Sequence, residues 1–191
     1  MRKGKNYMPE YIVESIQDIT PGFLKNLGAK GILIDVDNTL AYDNRKDIFP
    51  GVPRWVELMK AAGVKIIIMS NSFKVRVSPV AKALDLPYMT RCHKPAVKSY
   101  LKAAQLLGLS PDECIMVGDQ MLTDIRGANE SGIKSVYVMP VAFETNIFYK
   151  NIFKTRRANE RRVIMQYNEA HGTDFDLPPQ IKAEMRKEDL I

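Results

Sequence analysis

The chain of 191 residues lacks the features that mark secreted, zinc-stabilised and membrane-spanning proteins. Its two cysteines, Cys92 and Cys114, form no CxxC pair and the chain has two histidines, so neither a disulfide framework nor a zinc site is indicated. The longest apolar runs, such as 64–69, are interrupted by Lys65 and are too short to cross a bilayer. The basic N-terminus is not followed by the apolar stretch of a secretion signal. We therefore expect a protein of the reducing cytoplasm.

What the sequence does contain is the composition of an ordinary folded chain with an excess of positive charge. Hydrophobic residues make up 46% and charged residues 26%, and 28 Lys and Arg stand against 22 Asp and Glu, a formal net charge of +6. This balance favours anionic partners, namely phosphorylated metabolites, nucleic acid or acidic lipid headgroups, without choosing among them. At roughly 100 to 200 residues per domain, the length predicts one domain with an appended tail, which we place at 1–143 and 144–191.

Short apolar runs alternate with helical patterns along the chain, which is typical of a parallel sheet covered by helices. Strands are predicted at 31–36, 64–69, 88–90, 114–118 and 135–139. Prolines at helix starts and glycines at helix ends predict helices at 54–62 and 96–107, and a short helix after Thr20. The apolar positions of the 54–62 helix, including Leu58, are expected in the core. The predicted fold class is α/β, a three-layer Rossmann-like parallel sheet flanked by helices.

The first predicted strand ends in two carboxylates, Asp35 and Asp37, within the sequence DVDNTL. The carboxyl ends of strands are where open α/β sheets bind their ligands. By itself this pair is equally consistent with a capping acid and a solvated acid in a loop. It also matches the DxD with which sugar-nucleotide transferases hold a metal and a diphosphate. The pair alone therefore leaves the chemistry open.

Three further polar groups stand at the ends of later strands or in the loops beside them. They are Ser70 in SNS, Lys94 in HKP, and the acids Asp119 and Asp124 in GDQMLTD. Each alone has an ordinary explanation as a helix cap or an exposed loop. The order DxDxT, Ser, Lys-Pro, GDxxxTD is far more specific. A response-regulator receiver also gathers acids, a hydroxyl and a lysine, but its lysine follows all of the acids, which disfavours that class.

In this order of motifs the sequence resembles the haloacid dehalogenase superfamily of phosphotransferases, over about residues 31–140. Within it, the sequence looks most like the YqeG-type group of subfamily IIIA, and the triplet Ile-Thr-Pro at 19–21 adds to that likeness. Many members insert a cap domain between these motifs. The intervals from Thr39 to Ser70 and from Ser70 to Lys94 have room only for one helix and one strand each. We therefore expect no cap domain and an open cleft, with a helical extension at the C-terminus.

The resemblance implies a complete phosphatase site and a role for each residue. Asp35 is the nucleophile that forms an aspartyl-phosphate, and Asp37 protonates the leaving group and then activates water. Lys94 neutralises the crowded carboxylates and phosphate oxygens. The implied site comprises the catalytic residues Asp35, Asp37 and Lys94, the phosphate-binding residues Thr39, Ser70, Asn71 and Lys94, and the Mg²⁺ ligands Asp35, Asp37 through its main-chain carbonyl, Asp119 and Asp124.

The implied function is a Mg²⁺-dependent phosphomonoester hydrolase. Because the YqeG-type group is similar to phosphatases of phosphatidylglycerophosphate, that lipid is the substrate we expect. Two alternatives stay open: a phosphatase of a soluble sugar or nucleotide phosphate, and a non-catalytic module of the same fold that binds an acidic partner such as RNA, lipid or protein. The four intact motifs argue against the module.

Residues 145–167 predict one long amphipathic helix. Its apolar face comprises Phe148, Tyr149, Ile152, Phe153, Val163, Ile164 and Tyr167, interrupted by Arg156 and Glu160, and its basic stripe comprises Lys150, Lys154, Arg157 and Arg161. One interpretation packs the apolar face on the domain or on a second subunit and leaves the charges in water. The other lays the helix on anionic lipid headgroups, peripheral to the inner face of the membrane. Contact with RNA is disfavoured because no aromatic-rich RNA motif is present.

Overall fold

The protein is built on one parallel sheet of six strands, seen in a computed structural model that describes residues 6–42, 47–141 and 150–187, with the main chain alone at 150–155, 184 and 187. The strands are β1 Tyr11–Val13, β2 Gly31–Ile34, β3 Lys65–Met69, β4 Tyr88–Met89, β5 Cys114–Gly118 and β6 Lys134–Val138. Their order across the sheet is β1-β6-β5-β2-β3-β4. The central strands β2 and β5 are buried along their whole length, because helices cover both faces of a parallel sheet. The predicted α/β class is confirmed.

Helices form the two outer layers. They are α1 Pro21–Asn26, α2 Val52–Ala61, α3 Lys74–Ala83, α4 Val97–Leu107, α5 Arg126–Glu130, α6 Lys150–His171 and α7 Pro179–Lys187. Side chains of β2 alternate between the layers: Ile32 and Ile34 pack with α1, α2 and α3, whereas Leu33 packs with α4 and α5. On that second face Tyr137 of β6 packs with α6 and α7. The three-layer arrangement therefore follows directly from the two-residue period of the strands.

Apart from shifts of one residue at the ends of β3, β4 and β6, two features of the sheet differ from the sequence prediction. Strand β1, of three residues at the sheet edge, was not predicted, because so short an apolar run carries no readable period. Strand β2 ends at Ile34 rather than at residue 36. The chain turns there because the Val36 carbonyl accepts hydrogen bonds from the N–H groups of Leu40 and Ala41, at 2.9 and 3.0 Å. Asp35 is therefore the first residue beyond the strand.

The C-terminal helices pack on the sheet through a cluster that joins α6 and α7 to β1 and β6. Ile164 and Tyr167 of α6 are buried there, as the predicted apolar face requires. The prediction of a solvent-facing basic stripe is wrong for Arg157, which is 0% exposed because its guanidinium lies between two buried acids. The predicted helix residues 145–149 lie outside the described part of the chain.

Several other predictions for the tail are not tested by the structure. Phe148 and Tyr149 lie outside the described residues, and the side chains of Lys150, Ile152, Phe153 and Lys154 are likewise not described. The division of the chain at 143 and 144 stays a prediction. No helix within the described ranges is long and apolar enough to cross a membrane.

The core prediction for α2 fails at one position. Trp55 and Met59 are buried, but Leu58 is 50% exposed. Successive residues on a helix are about 100° apart, so Leu58, next to Met59, turns to the edge of the apolar face. Both cysteines are buried and free, in agreement with the absence of a disulfide framework.

Gly127 in α5 lies against the ring of Tyr100, whose hydroxyl donates a hydrogen bond to the Thr123 carbonyl at 2.8 Å. A Cβ at Gly127 would lie 2.3 Å from the ring. We expect Gly127→Ala to lower the free energy of unfolding by about 1–3 kcal/mol, because overpacking outweighs the better helix propensity of alanine. Urea denaturation measures this change.

Gly22→Ala is the matched control, because a Cβ there meets only the Thr20 hydroxyl at an ordinary 3.6 Å. In that variant the free energy of unfolding should rise by about 0.5–1 kcal/mol. Equal free energies of unfolding for the two variants would contradict this prediction, because they would mean that the Tyr100 ring moves aside at no energetic cost.

Candidate active site

The motif residues meet at the carboxyl ends of three neighbouring strands. Asp35 follows β2, Ser70 follows β3 and Asp119 follows β5, and β2 pairs with both of the others. Lys94 comes from the loop before α4, and Asp124 from a single π-helical turn, Met121–Ile125, that follows β5. The topology therefore brings four distant segments of the chain to one point of the sheet edge, where α/β proteins bind their ligands.

Lys94 bridges two carboxylates in the interior. Its Nζ lies 2.8 Å from Asp35 Oδ1 and 2.6 Å from Asp124 Oδ1, and all three side chains are buried. Buried charges are tolerated when they are paired and hydrogen-bonded, which this arrangement achieves for the lysine. The lysine therefore holds the segments after β2 and β5 together electrostatically.

The carboxylates outnumber the cation that serves them. Burial raises the pKa of Asp35 to about 6 and that of Asp124 to about 7, against the opposing effect of Lys94. Burial alone would lower the pKa of Lys94, but Asp124 and Asp35 raise it above its ordinary value. Lys94 therefore stays charged, but its single positive charge does not balance the two carboxyl groups of Asp35 and Asp124 when both are ionised.

Three of the acids are arranged as metal ligands. Asp35, Asp119 and Asp124 are buried, and each offers a carboxylate oxygen within 4.8 Å of the others. Asp119 Oδ1 is buried and accepts no hydrogen bond from any group in the described ranges. A cluster of oxygen donors with one unused lone-pair site suits a hard divalent cation such as Mg²⁺. The site thus fits the cation that the sequence predicts.

Asp37 lies apart from this cluster. Its Oδ1 accepts hydrogen bonds from Arg76 Nη2 at 2.5 Å and Arg76 Nε at 3.0 Å, and its Oδ2 accepts one from the Ser72 hydroxyl at 3.2 Å. The side chain is 17% exposed, against 5% for Asp35. Its carboxylate is therefore not one of the three candidate ligands, and a contribution through its main-chain carbonyl stays a prediction.

Arg76 is a site residue that sequence reasoning missed. It lies in α3 and also donates to the Tyr42 carbonyl at 2.9 Å, so it joins α3 to the loop after β2. No motif marks this arginine, because only the packing of α3 beside that loop brings it to Asp37.

The predicted phosphate-binding residues occupy the same edge. The Asn71 side chain brackets Lys94, accepting from its N–H at 2.6 Å and donating to its carbonyl at 3.1 Å. Ser70 is buried, and its hydroxyl accepts from the Ser72 N–H at 3.0 Å. Thr39 is buried, and its hydroxyl finds no partner among the described residues. The structure thus gives Asn71 a positioning contact that the sequence did not indicate, while the phosphate contacts stay predictions.

The glycine of the last motif leaves room for its second acid. Asp124 Oδ2 accepts a hydrogen bond from the Gln120 N–H at 3.2 Å, and a Cβ at Gly118 would lie 2.3 Å from the same oxygen. The π-helical turn directs Asp124 back toward Lys94 over this glycine. Glycine at 118 is therefore required by the close approach of the carboxylate.

Comparison with known proteins identifies the family. The model of the haloacid dehalogenase-like hydrolases matches residues 16–132. This chain belongs to the haloacid dehalogenase-like hydrolases. It is 35% identical, over 160 residues, to the "Probable phosphatase YqeG" of Bacillus subtilis, covering 84% of this chain and 91% of that protein. The predicted likeness to the YqeG-type group, and to a phosphatase of this family, is confirmed at this level.

Two plant and algal relatives are more distant. The chain is 26% identical over 181 residues to a chloroplastic phosphatidylglycerophosphate phosphatase 1 of Chlamydomonas reinhardtii, and 31% identical over 144 residues to the chloroplastic/mitochondrial one of Arabidopsis thaliana. The alignments cover 90% and 71% of this chain. They span 64% and 41% of those two proteins.

Two solved structures of phosphatases share the fold of this hydrolase. A cobalt-bound deoxy-D-mannose-octulosonate 8-phosphate phosphatase of Haemophilus influenzae superposes with a TM-score of 0.50 at 13% identity, over 66% of this chain and 76% of that one. A 4-nitrophenylphosphatase of Thermotoga maritima gives 0.51 at 11% identity, over 60% and 87%. In the described parts of this hydrolase only α2 and β3, and then α3 and β4, separate the motifs, so no cap domain stands there.

Lys94→Met tests the buried charge balance. We expect the free energy of unfolding to fall by about 3–5 kcal/mol, because the substitution leaves buried carboxylates without their cation. Lys60→Met is the matched control: Lys60 also lies 2.6 Å from a carboxylate, that of Asp85, but at the surface, where such a pair contributes about 0–1 kcal/mol. Urea denaturation of both variants gives the comparison, and equal losses would refute the assigned role of burial.

Proposed function

We propose that this hydrolase is a Mg²⁺-dependent phosphatase that cleaves phosphoric monoesters through an aspartyl-phosphate on Asp35. The observation that carries the proposal is the meeting of the Asp35, Asp119 and Asp124 carboxylates around Lys94 in one buried cluster. A nucleophile, a proton donor and positive charge near the phosphoryl oxygens are what phosphoryl transfer requires. The Mg²⁺ ion, when bound by the three acids, supplies further positive charge to the phosphoryl oxygens.

In the first step the Asp35 carboxylate attacks phosphorus and the bond to the ester oxygen breaks. The leaving oxygen takes a proton from Asp37, which lies two residues further along the same loop. Lys94 offsets the negative charge of the acids and the phosphoryl oxygens, and the Ser70 hydroxyl orients the phosphoryl group. The products of this step are the free alcohol and an acyl phosphate on Asp35.

In the second step water hydrolyses the acyl phosphate. Asp37, now a carboxylate, takes a proton from the water, whose oxygen attacks phosphorus and releases inorganic phosphate and free Asp35. The Arg76 guanidinium, bound to Asp37, favours its ionised form, which is the form this step needs. The first step needs the protonated form of Asp37, so the two steps use opposite protonation states of this one carboxyl group.

Asp35→Asn removes the nucleophile and should reduce Mg²⁺-dependent hydrolysis of 4-nitrophenyl phosphate to background. Asp37→Asn should lower kcat by about 10²–10⁴-fold, because the proton transfer is lost. With ³²P-labelled 4-nitrophenyl phosphate, whose leaving group departs without a proton, and an acid quench, the protein label should be absent from Asp35→Asn. It should accumulate in Asp37→Asn, because with this substrate only the second step needs Asp37. Asp85→Asn, at the exposed surface, is the control and should keep the wild-type rate.

A wild-type rate in Asp35→Asn would refute the proposed mechanism. If wild type and Asp35→Asn are equally inactive across candidate phosphoesters, the chain is instead a binding module of the same fold.

For the substrate we infer a membrane phospholipid with a terminal phosphomonoester, of the phosphatidylglycerophosphate type. The names of the chloroplast relatives support this, as does an exposed apolar surface beside the site. Phe73, Lys74 and Val75 form this surface, here called the α3 tip. Phe73 is 61% and Val75 78% exposed, whereas such side chains are usually buried.

The α3 tip directly follows the segment after β3 that contacts Asp37. Phe73 follows Ser72, whose hydroxyl contacts Asp37. The guanidinium of Arg91 stacks over the Phe73 ring at 4.6 Å from its centroid, and Lys74 is exposed between the two apolar side chains. Apolar groups flanked by cations match an anionic bilayer surface. The α3 tip therefore suits membrane contact better than α6, whose Arg157 is buried.

The double variant Phe73→Ser, Val75→Ser tests this surface by co-sedimentation with vesicles. We expect its partitioning onto phosphatidylglycerol-containing vesicles to fall by at least about tenfold, since burying each side chain contributes about 1.5–3 kcal/mol. Neutral phosphatidylcholine vesicles should bind wild type more weakly, because the basic residues then lose their partners. Hydrolysis of a phosphatidylglycerophosphate presented in the vesicles should fall with the binding.

The matched control is Leu58→Ser, Leu106→Ser. It removes two exposed leucines toward the C-terminal ends of α2 and α4. It should bind and hydrolyse like wild type. Unchanged sedimentation of the α3 tip variant would contradict the membrane contact, and a strong preference of wild type for a soluble sugar or nucleotide phosphate would contradict the lipid substrate.

A further inference from the structure

Arg157 of α6 is a buried cation that reaches the metal-ligand cluster from the C-terminal part of the chain. Its Nη2 lies 2.6 Å from Asp119 Oδ2, and its Nη1 donates to the Asp119 carbonyl at 2.9 Å. Nη1 also lies 2.6 Å from Glu160 Oε2, one turn further along α6. One guanidinium therefore binds both the main-chain carbonyl and the side-chain carboxylate of Asp119.

Glu160 fixes this guanidinium in turn. It accepts a hydrogen bond from the Met121 N–H at 3.3 Å and from the Tyr137 hydroxyl at 3.5 Å, and Arg156 Nε lies 3.7 Å away. The acid is thereby connected to the π-helical turn that carries Asp124 and to strand β6. These contacts join α6 to the segment that follows β5, so Arg157 is held rigidly where it meets Asp119.

The two oxygens of Asp119 have different surroundings. Oδ2 is occupied by Arg157, while Oδ1 is buried without a hydrogen-bond donor in the described ranges. Asp119 also belongs to the group of three acids whose oxygens lie within 4.8 Å. A guanidinium that binds one oxygen prevents the carboxylate from rotating and leaves the other oxygen for a cation. Partners that orient a ligand in this way contribute strongly to metal affinity.

We propose that Arg157 is a positioning residue of the divalent-cation site, which it serves by holding Asp119 in the orientation that binds the ion. This inference rests on the metal-dependent function proposed above. It makes α6 part of the hydrolase site, because the guanidinium that orients the ligand comes from this helix. The competing explanation is that the ion pair only anchors α6 to the sheet.

The test measures Mn²⁺ binding to the full chain by calorimetry, without substrate. Replacing Arg157 alone would leave Glu160 buried with only the more distant Arg156, at 3.7 Å, as a cation. The main variant is therefore Arg157→Leu with Glu160→Gln, which removes both charges together. We expect its Mn²⁺ dissociation constant to rise by about 10–100-fold. Arg157→Lys keeps the charge but cannot hold Asp119 with a planar fork, and should raise the constant by a smaller factor.

Two controls separate positioning from anchoring. Glu160→Gln keeps an oxygen beside Arg157 Nη1 and leaves the contact between Arg157 and Asp119 in place, so its Mn²⁺ dissociation constant should rise much less than that of the double variant. Arg161, also on α6, lies 3.6 Å from Asp176 in the loop before α7, and both side chains are partly exposed. Arg161→Leu removes this pair and should bind Mn²⁺ like wild type. In activity assays the Mg²⁺ concentration for half-maximal rate should rise with the Mn²⁺ dissociation constant, while kcat at saturating Mg²⁺ changes much less.

Wild-type Mn²⁺ affinity in a folded Arg157→Leu, Glu160→Gln variant would overturn the positioning role and leave the proposed phosphatase intact. If the wild-type chain binds no divalent ion and hydrolyses monoesters equally well in a chelator, the metal dependence itself fails, and the role of Arg157 fails with it.

Discussion

The pairing of the buried Lys94 ammonium with Asp35 and Asp124 is the interaction on which the rest of the site depends. Several acids at one sheet edge repel each other and lose hydration on burial, so they cannot coexist there without a fixed cation. The surroundings of Lys94 are accordingly built around it. The Asn71 side chain forms hydrogen bonds with both the N–H and the carbonyl of Lys94. Gly118 leaves the space that Asp124 needs to reach this lysine. Residues at the ends of β2, β3 and β5 thus position this one lysine.

The same edge gives two neighbouring carboxylates different environments. Asp35 is buried beside Lys94, where loss of hydration raises its pKa to about 6. Asp37 is more exposed, at 17% against 5% for Asp35, and its carboxylate accepts hydrogen bonds from Arg76 and from the Ser72 hydroxyl. A single loop after β2 therefore holds one carboxylate buried beside Lys94 and one that is more exposed and bound by Arg76. Two carboxylates with distinct surroundings are what a reaction with a nucleophile and a proton carrier needs.

The sequence predicted most features that depend on local pattern, with β1 and the exposure of Leu58 as exceptions, and it missed the contacts that distant segments decide. The strands after β1, and the acids at their ends, were readable because apolar runs and turn residues are short-range signals. Arg76 and Arg157 were not readable as site residues, because their partners Asp37 and Asp119 are brought to them only by tertiary packing. A helical wheel assigns an arginine to solvent by default, since arginine is rarely fully buried unless it is paired. The i, i+3 spacing of Arg157 and Glu160 was the local sign that a pair existed.

Burial of Arg157 also changes what the C-terminal helix can do. A basic stripe on α6 would have to face water to meet lipid headgroups, yet this arginine is 0% exposed and bound to two acids. Turning it outward would leave Asp119 and Glu160 buried without their cation, at a cost that headgroup attraction of about 1 kcal/mol per basic residue does not offset. Helix α6 and the acidic cluster are therefore joined through Arg157, and the membrane contact proposed above rests on side chains that are already exposed, Phe73 and Val75.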